Sequence, residues 1–95
     1  MATQINQIDD LENGTSTLRV EGELLGEDAS LLERIGVQIR ELTGNRIIID
    51  VADLDFMDSE AAPILRRLDR LEGFSLQGME IFLQSVINNV ERHTV

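Results

Sequence analysis

Four aspartates, Asp50, Asp53, Asp55 and Asp58, crowd one short stretch of this sequence, with Glu60 just beyond them. Converging carboxylates are what a magnesium or calcium site requires. The spacing does not fit a calcium loop, because the Asp-x-Asp-x-Asp-Gly start and the acid at its twelfth position are both missing. A phosphoacceptor-aspartate pocket would want a later lysine, and all eight basic residues here are arginines. The acids read as solvated loop carboxylates or as acceptors for backbone N–H groups, and no metal site is expected.

Nucleophilic chemistry has little to draw on. The absence of cysteine removes thiol nucleophiles, disulfides and thiolate metal sites. The absence of lysine removes Schiff-base chemistry. The single histidine, His93, stands near the C-terminus beside Arg92, and no serine sits in a Gly-x-Ser-x-Gly elbow. No catalytic residue and no cofactor is expected. Ser59 is different, because it falls where the acidic loop turns into a helix. Its hydroxyl could be a helix N-cap, accepting from unpaired backbone N–H groups. It could also be a switchable group: phosphorylation would add a charge of about −1.5 to −2 at the positive end of a helix. Asp58 and Glu60 would oppose that charge, and the two readings are compatible.

The elements that position this stretch follow from hydrophobic spacing. Ile5, Ile8 and Leu11 form a weak strand pattern, and Asn13-Gly14 suits a tight hairpin turn with positive φ at both positions. A second strand over 17–24 places Leu18, Val20 and Gly22 on one face. A helix opens near Gly26-Glu27-Asp28, carries the stripe Ala29, Leu32, Ile35, Gly36, Ile39 and Leu42, and ends at Thr43-Gly44-Asn45. The β-branched run 46–51 reads as a central strand covered by helices on both faces. A loop over 52–57 follows, in which Leu54 and Phe56 plug the core. The next helix starts near Ser59, with Pro63 in its first turn and Ala61, Ile64, Leu65, Leu68 and Leu71 inward. Gly73 and Gly78 bracket a turn, residues 79–84 form the last strand, and Ser85 caps a short helix with Val86, Ile87 and Val90. The order β-β-α-β-α-β-α predicts an α/β sandwich with a four-stranded mixed sheet.

Ninety-five residues make a single domain, 1–95, with room for one core. The net charge of −10 argues against nucleic acid or an anionic membrane as partner. No apolar run approaches the length of a membrane span, and Met1-Ala2-Thr3-Gln4 does not look like a signal peptide, so a cytoplasmic protein is expected.

The run Asp50-Val51-Ala52-Asp53-Leu54-Asp55-Phe56-Met57-Asp58-Ser59 resembles the signature of the STAS domain, the anti-sigma factor antagonist family. Val20-Glu21-Gly22-Glu23-Leu24 is similar to that family's Val-x-Gly-x-Leu strand end, and Gly78-Met79-Glu80-Ile81-Phe82-Leu83 to its last-strand pattern. The order and spacing of the three pieces carry the resemblance, over about four-fifths of the chain. It implies a regulatory protein acting by protein–protein contact, with Ser59 phosphorylated by an anti-sigma factor that is also a serine kinase. The unmodified form would bind that partner and phosphate would abolish binding. Glu60 and Ala61 depart from the family's usual serine and glycine. They leave open a second role, an unphosphorylated structural subunit of a stressosome-like or lipid-transport complex. The expected partner surface is the loop with Asp53 and Asp55, then Asp58, Ser59 and Glu60, and the helix start with Ala62, Pro63 and Arg66. Ile5 and Ile8 on an edge strand make a homodimer conceivable.

Overall fold

The structure is a computed structural model and describes residues 3–84. The elements are β1 (Gln4–Asp10), β2 (Thr15–Leu24), α1 (Gly26–Thr43), β3 (Arg46–Asp50), β4 (Leu54–Met57), α2 (Ala61–Asp69) and β5 (Phe74–Gln77), followed by helical residues 79–84. The expected cap at Ser85, the apolar Val86, Ile87 and Val90, and His93 lie outside the described residues. The sheet runs β1-β2-β3-β5, with β1 antiparallel to β2 and the other neighbours parallel. This is the mixed α/β sandwich read from the sequence, with one strand more than expected.

The hairpin is closed by a four-residue turn, 11–14, rather than by a two-residue one. Within this turn only Gly14 has positive φ. Asp10 sets the turn's shape by accepting from the backbone N–H of Asn13 at 3.2 Å and from its side-chain amide at 2.7 Å. These bonds, the side-chain one foremost, hold the Asp10 carboxyl below the usual aspartate range. Further along, Ser16 is wholly buried yet satisfied. Its hydroxyl donates to Asp9 at 2.8 Å and accepts from the Asn45 amide at 3.1 Å.

β2 alternates as predicted, with Leu18, Val20 and Leu24 fully buried. Ile47, Ile49 and Val51 share the same face, and α1 and α2 cover it with Ala29, Leu32, Ala61, Leu65 and Leu68. Each fully buried leucine contributes roughly 1.5–3 kcal/mol. α1 ends as expected at Gly44, whose φ of 73° is the left-handed cap conformation. Leu42, assigned to its apolar stripe, is instead 78% exposed in the last turn of α1.

The expectation that helices cover β3 on both faces is not met among the described residues. Strand order advances in one direction, β2 to β3 to β5, and right-handed crossovers in one direction lay their helices on one side. Ile48, on the other face, is only half-buried, in a row with Thr17 and Ser75. On the same face Arg19 Nε lies 3.7 Å from Asp50 Oδ2.

The last strand is also displaced from its expected position. Residues 79–84 are helical, and the strand is β5, inside what reads from sequence as a turn. Gly73 and Gly78, with φ of 84° and 83°, turn the chain into and out of it. Ile47 N–H donates to Gly73 O and Val51 N–H to Gln77 O, fixing both ends beside β3. The apolar run after Gly78 has helical spacing: Phe82 is buried and Met79 packs on the core, while Ile81 and Leu83 are exposed.

Candidate functional site

β4 is the element that builds the site, and it lies within the expected loop 52–57. β3 stops opposite Arg19, and the Asp50 carboxylate accepts the Ala52 N–H at 3.0 Å to start a turn. β4 then takes up the remaining end of β2, pairing Leu54 with Gly22, Phe56 with Glu23 and Met57 with Leu24. Asp55 has no partner in this register, so it is the extra residue of a bulge, opposite the positive-φ Gly22. A bulge reverses the facing of whatever follows it. Leu54 is therefore 3% exposed and plugs the core as expected, whereas Phe56 is 49% exposed and does not.

Asp58 ties the two helix starts together. Its Oδ1 accepts from the backbone N–H groups of Glu60 at 3.1 Å and Ala61 at 2.8 Å, and its Oδ2 from Gly26 N–H at 3.2 Å. Its own N–H donates to Leu24 O, extending the β2–β4 pairing. Asp58, not Ser59, thus caps α2, and the helix begins at Ala61, two residues later than Ser59. Pro63 lies in the first turn, where its missing donor costs nothing. Ser59 is exposed, and its hydroxyl makes no hydrogen bond among the described residues.

Glu60 is turned towards α1. A methyl group placed on Gly26 would lie 2.8 Å from both its Cβ and its Oε2. The Glu60 carboxylate therefore sits at the positive end of α1, beside the first-turn acids Glu27 and Asp28. Asp53 and Asp55 are exposed and bind nothing among the described residues. Ala62 is half-buried, while Pro63 and Arg66 are exposed on α2. Asp53 through Arg66 thus follow one continuous path from the end of the sheet to the first turns of α2, but Asp50 faces away towards Arg19. Among the described residues, no three acidic or histidine side chains converge as metal ligands would.

Two features escape the sequence reading. The Phe56 ring is exposed three residues before Ser59, and its signal lay in Gly22, a glycine interrupting an otherwise regular strand. Glu33 of α1 and Arg67 of α2 form a two-point ion pair at 2.6 and 3.0 Å, which holds Arg67 charged and fixes the helices against each other.

No family model and no curated protein matches the sequence. Solved structures do match. An anti-sigma factor antagonist STAS domain from Rhodobacter sphaeroides aligns with a TM-score of 0.59 at 18% identity, covering 87% of this chain and 94% of that one. The unphosphorylated form of the anti-sigma factor antagonist SpoIIAA aligns at 0.56 and 20% identity, over 95% and 98% of the two chains. The chain has the STAS fold. A Shewanella loihica PV-4 protein of the DUF3478 family, described as SpoIIAA-like in fold, aligns at 0.53 and 20% identity over 98% of this chain and 79% of that one. In this STAS fold no described helix is long and apolar enough to cross a membrane.

Proposed function

We propose that this chain is a phosphorylation-switched docking protein of the anti-sigma factor antagonist kind, with Ser59 as the modified residue. Its role is to bind, not to catalyse. The partner is an anti-sigma factor with serine kinase activity, which engages Asp53, Asp55, Asp58, Ser59, Glu60 and the α2 start at Ala62, Pro63 and Arg66. The observation that carries the proposal is the division of labour between two neighbours. Asp58 does the capping, so the Ser59 hydroxyl is exposed and uncommitted. A kinase can therefore modify it without dismantling α2.

The chemistry of the modified state supports the same reading. The N–H groups of Glu60 and Ala61 already serve Asp58, so a phosphate at Ser59 would find those donors taken. Asp58 and Glu60 would repel it, leaving a dianion exposed on the surface a partner must cover. Burying it unpaired is costly, so the complex should dissociate. Glu60, where the resemblance leads one to expect serine, does not by itself imitate phosphate, because its carboxylate is drawn to the start of α1. Exposed Phe56 provides an apolar anchor of the kind that dominates protein interfaces.

The test is capture from native lysate with wild type, Ser59→Ala and Ser59→Asp, together with phosphate mapping by mass spectrometry after incubation with the captured kinase and ATP. Wild type and Ser59→Ala should capture the same partner, and Ser59→Asp should bind at least about tenfold more weakly, or 1.4 kcal/mol. Phosphate labelling that persists in Ser59→Ala, or capture indifferent to Ser59→Asp, overturns the proposal.

A further inference from the structure

Beside the Ser59 turn, α2, β5 and the helical residues 79–84 border an open cavity of about 330 Å³. Met57, Leu76, Met79 and Phe82 provide its apolar wall, and among the described residues Arg66 and Asp69 are the charged ones that line it. The two charges are not equivalent. Asp69 is engaged, accepting the Leu76 N–H at 3.1 Å and so tying α2 to β5. Arg66 is exposed and makes no ion pair or hydrogen bond among the described residues. Arg67, its neighbour, is by contrast committed to Glu33.

An apolar cavity of this size, with Arg66 as a cation unpaired among the described residues at its rim, combines the two properties of a site for a small amphiphile. The apolar wall gives binding energy and a few polar groups fix orientation. We propose that the cavity binds a single-chain anionic amphiphile, a carboxylate of roughly eight to ten carbons by volume. The head group pairs with Arg66 and the chain lies against Met57, Leu76, Met79 and Phe82. Met57 is the last residue of β4 and Ala62, also in the lining, belongs to the first turn of α2. The ligand thus touches both elements that hold Ser59. The inference does not depend on Ser59 being phosphorylated, and it stands or falls on binding alone.

Two of the three methionines line the cavity, so methyl-13C methionine NMR on the whole chain reads its occupancy. Titration with decanoate, kept below micelle-forming concentration, should shift the Met57 and Met79 methyl signals saturably. Arg66→Gln should weaken decanoate by about fivefold or more while changing affinity for neutral decanol by less than about twofold. Ala62→Leu, which puts a larger side chain into the lining, should weaken both ligands. Phosphatidylglycerol vesicles, the other source of an acyl chain with an anionic head, should leave both signals in place. Unmoved methyl signals in decanoate overturn the proposal. So does equal weakening of decanoate and decanol by Arg66→Gln, or a response to vesicles without one to decanoate. Arg66 is exposed, so its variant retains the fold and keeps the test decisive if Ala62→Leu does not.

Discussion

The two long helices begin within hydrogen-bonding distance of one aspartate, yet their starts are built differently. α1 is held from several directions. Asp28 accepts the Leu25 N–H and the Thr3 hydroxyl, Asp58 accepts the Gly26 N–H, and Glu60 covers Gly26 itself. The same hydroxyl also lies against Glu23 O, so its one proton is shared between the two acceptors, and the residue just ahead of the first strand is tied to this corner. α2 has no acidic residue of its own in its first turn and relies on Asp58. An over-determined start tolerates no visitor, whereas a start capped from one side leaves the other side free. That free side is where Ser59 stands.

This contrast can be broken by experiment. The largest effect should come from Asp58→Ala, which removes the acceptor of three backbone donors at two helix starts. Chemical denaturation should show a loss of about 2–3 kcal/mol, while Ser59→Ala should stay within about 0.5 kcal/mol of wild type. Equal losses would mean that Ser59, not Asp58, caps α2. A smaller effect is expected from Gly26→Ala, whose new methyl would press on Glu60 Cβ at 2.8 Å. The cost should be about 1 kcal/mol, with amide shifts at Ser59 as the α2 start is pushed aside. Unmoved Ser59 signals would show that the two starts are mechanically independent.

The smallest effect belongs to the hairpin turn, a carboxylate cap remote from both helices. Asp10 has a lowered pKa in the folded state, so its contribution is present above the ordinary aspartate value of 3.8 and is lost as pH falls through the folded value. The melting-temperature difference between wild type and Asp10→Ala should therefore be largest near neutral pH and vanish in strong acid. A difference that grows on acidification would contradict the hydrogen bonds at Asn13.

Much of this was legible in the sequence where a single periodicity acts alone. α1 has eighteen residues of 3.6-fold spacing and a glycine stop, and both ends fall where they were expected. β2 and β3 read as strands because alternation and β-branching agree, although the unbroken isoleucine run of β3 pointed to two helix-covered faces and only one is covered among the described residues. The chain was misread where a local defect resets the period. The bulge at Asp55 turns Phe56 outward, although Leu54 and Phe56 share a period-2 pattern that predicts the same face. The run 79–84 is short and apolar enough to suit either a strand or a helix, and its flanking strand was hidden between two glycines. At the candidate site the acidic stretch and Ser59 stood out from composition. The exchange of roles between Asp58 and Ser59 did not, since both residue types are good caps and only the distances separate them.

β2 pairs with β1 along one edge, and with β3 and then β4 along its length. Three strands therefore use it as a template, two of them only after long loops have closed. The local hairpin is the cheapest pairing to form, so refolding should begin there and spread outward. The amides of the central strand β2 should be the last to exchange with deuterated solvent, and a lesion in β2 should slow assembly where one in β5 merely hastens its undoing.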